Sequence, residues 1–125
     1  MIKGIGIDMI ETDRVGEKIA KNEGFREYVF TPVEIAYCEM KANKAEHYAA
    51  RFAGKEALLK ALGVGFSGGL ALNEIEISGD ENGKPEITFT GETAKKIKES
   101  GELKIHISLS HLKNIASAMV IIEKL

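Results

Sequence analysis

"IKGIGIDMI", residues 2–10, decides the fold. Its isoleucines at 2, 5, 7 and 10 and its alternation predict a first β-strand. Side chains on a strand point to opposite faces in turn, so Gly4, Gly6 and Asp8 share one face. That face is nearly bare and carries a carboxylate. Its counterpart is "RFAGKEALLKALGVG", residues 51–65, which reads as a helix running into a glycine loop. At about 100° per residue, Phe52, Ala53 and Leu59 lie on the same side as Glu56. A charge on that stripe is costly to bury. Two readings are open: Glu56 pairs with Lys60 at i, i+4 on a helix edge, worth about 0.2–0.5 kcal/mol, or it points with Asp8 into a crevice between helix and sheet.

Outward from this pair, Thr12 or Asp13 opens a helix over about 13–22, and "TPVE" opens another running to about 40. In the latter Thr31 stands at the N-cap, Pro32 in the first turn and Glu34 three residues on from Thr31. The long helix runs from about Lys44 to Leu62 and stops at "GVGFSGG". "LNEIEIS" and "PEITFT" alternate around "GDENGK", whose Asn82-Gly83 pair is a hairpin signal. A polar helix over about 91–100 follows, led by Thr90, and then two strands, "LKIHISLS" and "NIASAMVIIEK", joined around His111–Lys113. The order predicts an α+β fold: a mostly antiparallel sheet packed by a long central helix, in a single domain over 1–125. The last strand is apolar on both faces, Ile115, Met119 and Ile121 on one and Ala116, Ala118, Val120 and Ile122 on the other. It needs cover on both sides, supplied either by another subunit or by the long helix within one chain.

Bulk properties exclude several function classes. A formal net charge of −2 gives no global attraction to nucleic acid or an anionic membrane, so an acidic partner must meet a local basic patch. No apolar run approaches the roughly 20 residues that span a bilayer, and the N-terminal stretch is interrupted by Asp8 too early for a signal peptide. The single Cys38 cannot form an internal disulfide, which points to a reducing cytoplasm.

Five constellations carry candidate chemistry. Asp8 and Glu56 offer two hard oxygen ligands of the kind Mg²⁺ uses, with water and substrate phosphate completing its shell. Arg51, Lys55 and Lys60 surround Glu56 with cations suited to phosphate. Gly63 to Gly68 spell GxGxxG, but they end a helix and precede a strand, the reverse of a dinucleotide fingerprint; the loop still permits close backbone approach to a nucleotide. In "HISLSH", His106, Ser108 and Ser110 form one face of hydrogen-bond donors, while no nucleophile elbow or zinc spacing accompanies them. Arg14, Lys18 and Lys21 line one face of the first helix, with Arg26 shortly after, either as a solvated surface or as a dock for an acidic helix.

Taken together, Gly6-Ile7-Asp8 and the run Phe52, Lys55, Glu56 and Lys60 resemble the two motifs of the phosphopantetheinyl transferase superfamily, and within it the holo-acyl-carrier-protein synthases. The resemblance extends through "FTPVE" (30–34), "NGKP" (82–85) and "HISLSH" (106–111). It implies transfer of 4′-phosphopantetheine from coenzyme A to a serine of an apo acyl carrier protein, in support of fatty acid biosynthesis, by compact homotrimers with active sites between subunits. It also implies Mg²⁺ on Asp8 and Glu56, with Asp8, Glu56 and Lys60 catalytic. On the same resemblance, coenzyme A contacts are expected at Arg51, Lys55, Lys60, Gly63, Gly65, Pro85, His106 and Ser108, and docking of the carrier protein on Arg14, Lys18, Lys21 and Arg26. Glu56, directly or through a water, is the first candidate base.

Overall fold

In the computed structural model, which describes residues 1–21, 23–63 and 69–125, the bare face of the first strand lies directly against the long helix. Strand β1 spans Ile2–Glu11 and runs into α1, Thr12–Lys21. Three helices follow, α2 at Phe25–Val29, α3 at Pro32–Glu39 and α4 at Lys44–Leu62. After a 3₁₀ turn at Leu72–Glu74 come β2, Ile75–Gly79, β3, Pro85–Phe89, α5, Gly91–Glu99, β4, Leu103–His111, and β5, Ile115–Lys124. The expected end of the first helix at residue 22 and the loop residues 64–68, Gly65 among them, lie outside the described residues.

The α+β class and the central helix stand as expected, but the described strands form two sheets rather than one. One is three-stranded and antiparallel in the order β1-β5-β4, and the other is the β2-β3 hairpin. Strand β3 lies beside β4 without pairing with it, and a cleft of about 360 Å³ runs between them. The 3₁₀ turn and α2 are absent from the sequence reading. Among the described residues no side chain caps α2; Gly24 at φ 92° turns the chain into it, a conformation that favours glycine.

Close packing of α4 on the larger sheet follows from the bare face. A Cβ built on Gly4 would stand 1.9 Å from the Ala61 carbonyl oxygen, and one on Gly6 1.9 Å from that of Ala57. Helix and strand therefore touch backbone to backbone, an approach open only to glycine. Ala116, Ala118, Val120 and Ile122 of β5 complete this inner face and are buried. Rather than one apolar stripe, α4 is buried nearly all round, with Tyr48, Ala49, Ala53, Ala57, Leu58 and Leu59 in the core and Arg51 and Lys55 buried among them. The outer face of the same sheet is open. Ile7 is 58% exposed and Met119 41%, and the register places them opposite one another, as it does Ile5 and Ile121. The long helix thus covers one face of the last strand, and among the described residues nothing covers the other.

Local caps lock the smaller elements. Thr31 Oγ1 accepts from the Glu34 amide at 3.2 Å while Glu34 Oε1 accepts from the Thr31 amide at 2.9 Å, the reciprocal box expected at the start of α3. At α5 Thr90 occupies the N-cap as expected, but its side chain makes no capping bond. Glu74 Oε1 accepts from the Thr93 amide at 3.1 Å and from its hydroxyl at 2.8 Å, so the preceding segment supplies the carboxylate. Cys38 on α3 is fully buried, and burial pushes its thiol up to about 11.

Candidate active site

Two elements converge on one cavity. The inner face of β1 delivers Asp8 and the near side of α4 delivers Glu56; both line a cleft of about 440 Å³ with Phe52, Val15, Ile10 and Ile115. Glu56 is half-buried, and its carboxyl is held above the usual carboxylate range, first by desolvation and then by the negative charge of Asp8. Lys60, one turn further along α4, donates from Nζ to Asp8 Oδ1 at 3.0 Å and to the Ile7 carbonyl oxygen at 3.0 Å. The i, i+4 surface pair of Glu56 and Lys60 is thus not what the fold builds: Lys60 reaches across to the strand.

This arrangement fits Mg²⁺. Two hard carboxylates facing one water-accessible cleft, with repulsion between them acting on Glu56, are a donor set that a small dication relieves while leaving most of its octahedron to water and phosphate. Among the described residues no group of three or more His, Cys, Asp or Glu side chains is placed to hold a metal ion, so at this cleft the protein itself offers two carboxylates.

Basic residues flank this cleft. Arg14 and Lys18 of α1 line the cavity itself, and with Glu17 and Lys21 they form an adjoining depression of about 200 Å³. The stripe read from the sequence therefore stands on the rim of the carboxylate site. Arg26 departs from it: its guanidinium turns to Glu27 at 2.7 Å and Glu39 at 3.4 Å.

The other expected coenzyme A contacts lie in separate places. Arg51 is 7% exposed, with its guanidinium 4.2 Å over the Tyr37 ring and its Nε without a hydrogen-bond partner among the described residues. It opens with Pro85, His47 and His111 onto a second cavity of about 460 Å³. Pro85 and His106 both line the cleft between β3 and β4, and His106 Nε2 meets Glu123 Oε1 of the neighbouring strand β5 at 2.5 Å. Ser108 sits on the open outer face, opposite Met119. Gly63 forms the left-handed C-cap of α4 at φ 75°. Lys55 is a correction. Its ammonium is fully buried and bonded to Glu34 Oε1 at 2.6 Å, to the Val29 carbonyl at 2.6 Å and to the Leu72 carbonyl at 2.9 Å. All three donors are used, so Lys55 ties α4 to α2, α3 and the approach to β2 rather than facing a ligand. Tyr37, His47 and Glu123 were missed by sequence reasoning, because each acquires its neighbour only through long-range packing.

Comparison with known proteins bears directly on this geometry. A profile of the 4′-phosphopantetheinyl transferase superfamily matches residues 4–119. The holo-[acyl-carrier-protein] synthase of Cytophaga hutchinsonii is 46% identical over 126 residues, covering 99% of both chains. The crystal structure of holo-[acyl-carrier-protein] synthase from Neisseria meningitidis superposes with a TM-score of 0.89 at 31% identity, covering 99% of this chain and 100% of that one. A holo-(acyl-carrier-protein) synthase from Bacillus anthracis, solved in complex with CoA (3′,5′-ADP), superposes with a TM-score of 0.82 at 34% identity over 100% of this chain and 99% of that one.

Proposed function

Because the chain belongs to the 4′-phosphopantetheinyl transferase superfamily, we propose that it transfers 4′-phosphopantetheine from coenzyme A to a serine hydroxyl of an apo acyl carrier protein. The observation that carries this reading is the meeting of Asp8 and Glu56 in one cleft with the basic face of α1 on its rim. The reaction forms a bond from the serine oxygen to the pantetheine-side phosphorus and breaks the bridging bond of the diphosphate. Adenosine 3′,5′-bisphosphate leaves. Holo carrier protein is the other product, a supply for fatty acid biosynthesis.

Asp8 and Glu56 would hold Mg²⁺, whose chemistry here is to neutralise charge on the diphosphate oxygens. Lys60 supplies a mobile ammonium to the same anion, and Glu56 is our candidate acceptor of the serine proton. Arg14, Lys18 and Lys21 would meet the acidic carrier, and their place beside the cleft brings its serine to the diphosphate, so the work of the protein is mainly to position two oxygens in line. Arg51, Pro85 and His106 would take the nucleotide end. Their two cavities share no lining residue with the Asp8 cleft. A neighbouring copy, docked on the open face of the larger sheet, would bring the two halves together, and we infer a homotrimer on that ground. Among the described residues no helix is long and apolar enough to cross a membrane. The free thiol of Cys38 accords with a reducing cytoplasm, where we place the protein.

Intact mass spectrometry of an apo carrier protein incubated with this protein, coenzyme A and Mg²⁺ tests the proposal. The expected result is a gain of one phosphopantetheine per carrier. Asp8→Ala and Glu56→Ala each slow it by about a hundredfold or more while leaving the circular dichroism spectrum unchanged. A carrier of unchanged mass, or coenzyme A cleaved with no carrier present, overturns it.

A further inference from the structure

Lys60 makes a contact that a lysine reserved for phosphate would not need. Its Nζ sits 3.0 Å from Asp8 Oδ1 and 3.0 Å from the Ile7 carbonyl oxygen, so the ammonium is held by the strand that carries Asp8. The Lys60 side chain is 57% exposed and that of Asp8 only 16%. The carboxylate is largely enclosed, and the cation on it stands in solvent with room to move to another anion. Glu56 feels Lys60 and Lys18 only through space.

An ammonium bonded to Asp8 repels a dication arriving at the same carboxylate, and the repulsion is strong where solvent screening is weak. A bare divalent cation must therefore displace Lys60 without giving it a new partner. A cation that arrives on a diphosphate brings an anion to which Lys60 can transfer. We propose that Lys60 is an exchangeable counter-ion of Asp8 that makes this cleft select the divalent-metal complex of a diphosphate over the bare cation. The inference rests on the reading of Asp8 and Glu56 as the metal ligands. By linkage, cation and diphosphate each raise the other's affinity by the same factor.

Titration of the full chain with Mn²⁺, followed by electron paramagnetic resonance with and without saturating coenzyme A and corrected for Mn²⁺ bound by coenzyme A in buffer, reads this coupling directly. In the wild type, coenzyme A tightens Mn²⁺ binding by about fivefold or more. Lys60→Met tightens binding of Mn²⁺ alone by a similar factor, about fivefold, and loses most of the further gain from coenzyme A; Lys60→Gln behaves alike. Lys18→Met removes a cation that lines the cleft without a bond to Asp8 and changes Mn²⁺ affinity far less. If Asp8→Asn binds Mn²⁺ as the wild type does, the metal reading fails and the inference with it. If Asp8→Asn loses Mn²⁺ but Lys60→Met matches the wild type, or Lys18→Met tightens binding as much as Lys60→Met, the inference alone is overturned.

Discussion

At the scale of single residues, neighbours on one helix have opposite fates. Lys55 and Glu56 are adjacent in sequence, yet Lys55 is sealed against Glu34 and two carbonyls while Glu56 faces the cleft. Glu34 has its own second duty, since Oε2 accepts from the Ile77 amide at 2.8 Å. One carboxylate thus joins the start of α3, the middle of α4 and strand β2. Burying such a pair costs desolvation, and removing one member strands the other charge in the core. Lys55→Met is expected to lower the unfolding free energy by about 3–5 kcal/mol in urea titrations, and adding Glu34→Gln to it to recover part of the loss. A Lys55→Met protein as stable as the wild type would make the pair dispensable.

At the scale of elements, the contact of β1 with α4 sets the geometry of the cleft. Gly6→Ala places a methyl group 1.9 Å from the Ala57 carbonyl oxygen, and the helix must retreat. The expected cost is at or above the usual 1–3 kcal/mol of overpacking, roughly, measured by thermal or urea unfolding. Transfer activity falls as well, because Asp8 lies two residues away and Glu56 one residue before Ala57. This contact was half legible in the sequence. Alternation put Gly4, Gly6 and Asp8 on one face, but helical periodicity left Glu56 either paired with Lys60 or turned to the crevice, and only the resemblance of the two motifs favoured the crevice; the ends of α4, closed by Gly63 in the left-handed region, were readable. The partner of Lys55 was not, because Glu34 lies 21 residues away and was already accounted for as a capping residue. The division into two sheets was hidden for a related reason: alternation shows where strands are, while their partners depend on which faces α4 covers. Glu74 likewise caps α5 from 19 residues before Thr93, beyond any local signal.

At the scale of the whole molecule, the outer face of the β1-β5-β4 sheet is the exposed apolar surface on which we propose that copies of the chain meet. Ile5 and Met9 are 63% and 67% exposed and stand beside Ile7 and Met119 in one apolar field. Such a face on a small chain marks a contact surface. Light scattering is expected to give the mass of a trimer for the wild type. Ile7→Glu or Met119→Glu is expected to give a monomer with turnover reduced by about tenfold or more, since Arg51 and His106 would no longer face the cleft of a neighbour. A wild type that stays monomeric at every concentration overturns the trimer. Finally, Cys38 gives this molecule a clock. Only thiolate reacts readily with alkylating reagents, and this thiol is fully buried and pushed up to about 11. A reagent therefore reaches it only when α3 parts from α4. As the chain holds one cysteine, each labelled molecule records a single such event, and the labelling rate reports how often the native core opens under working conditions.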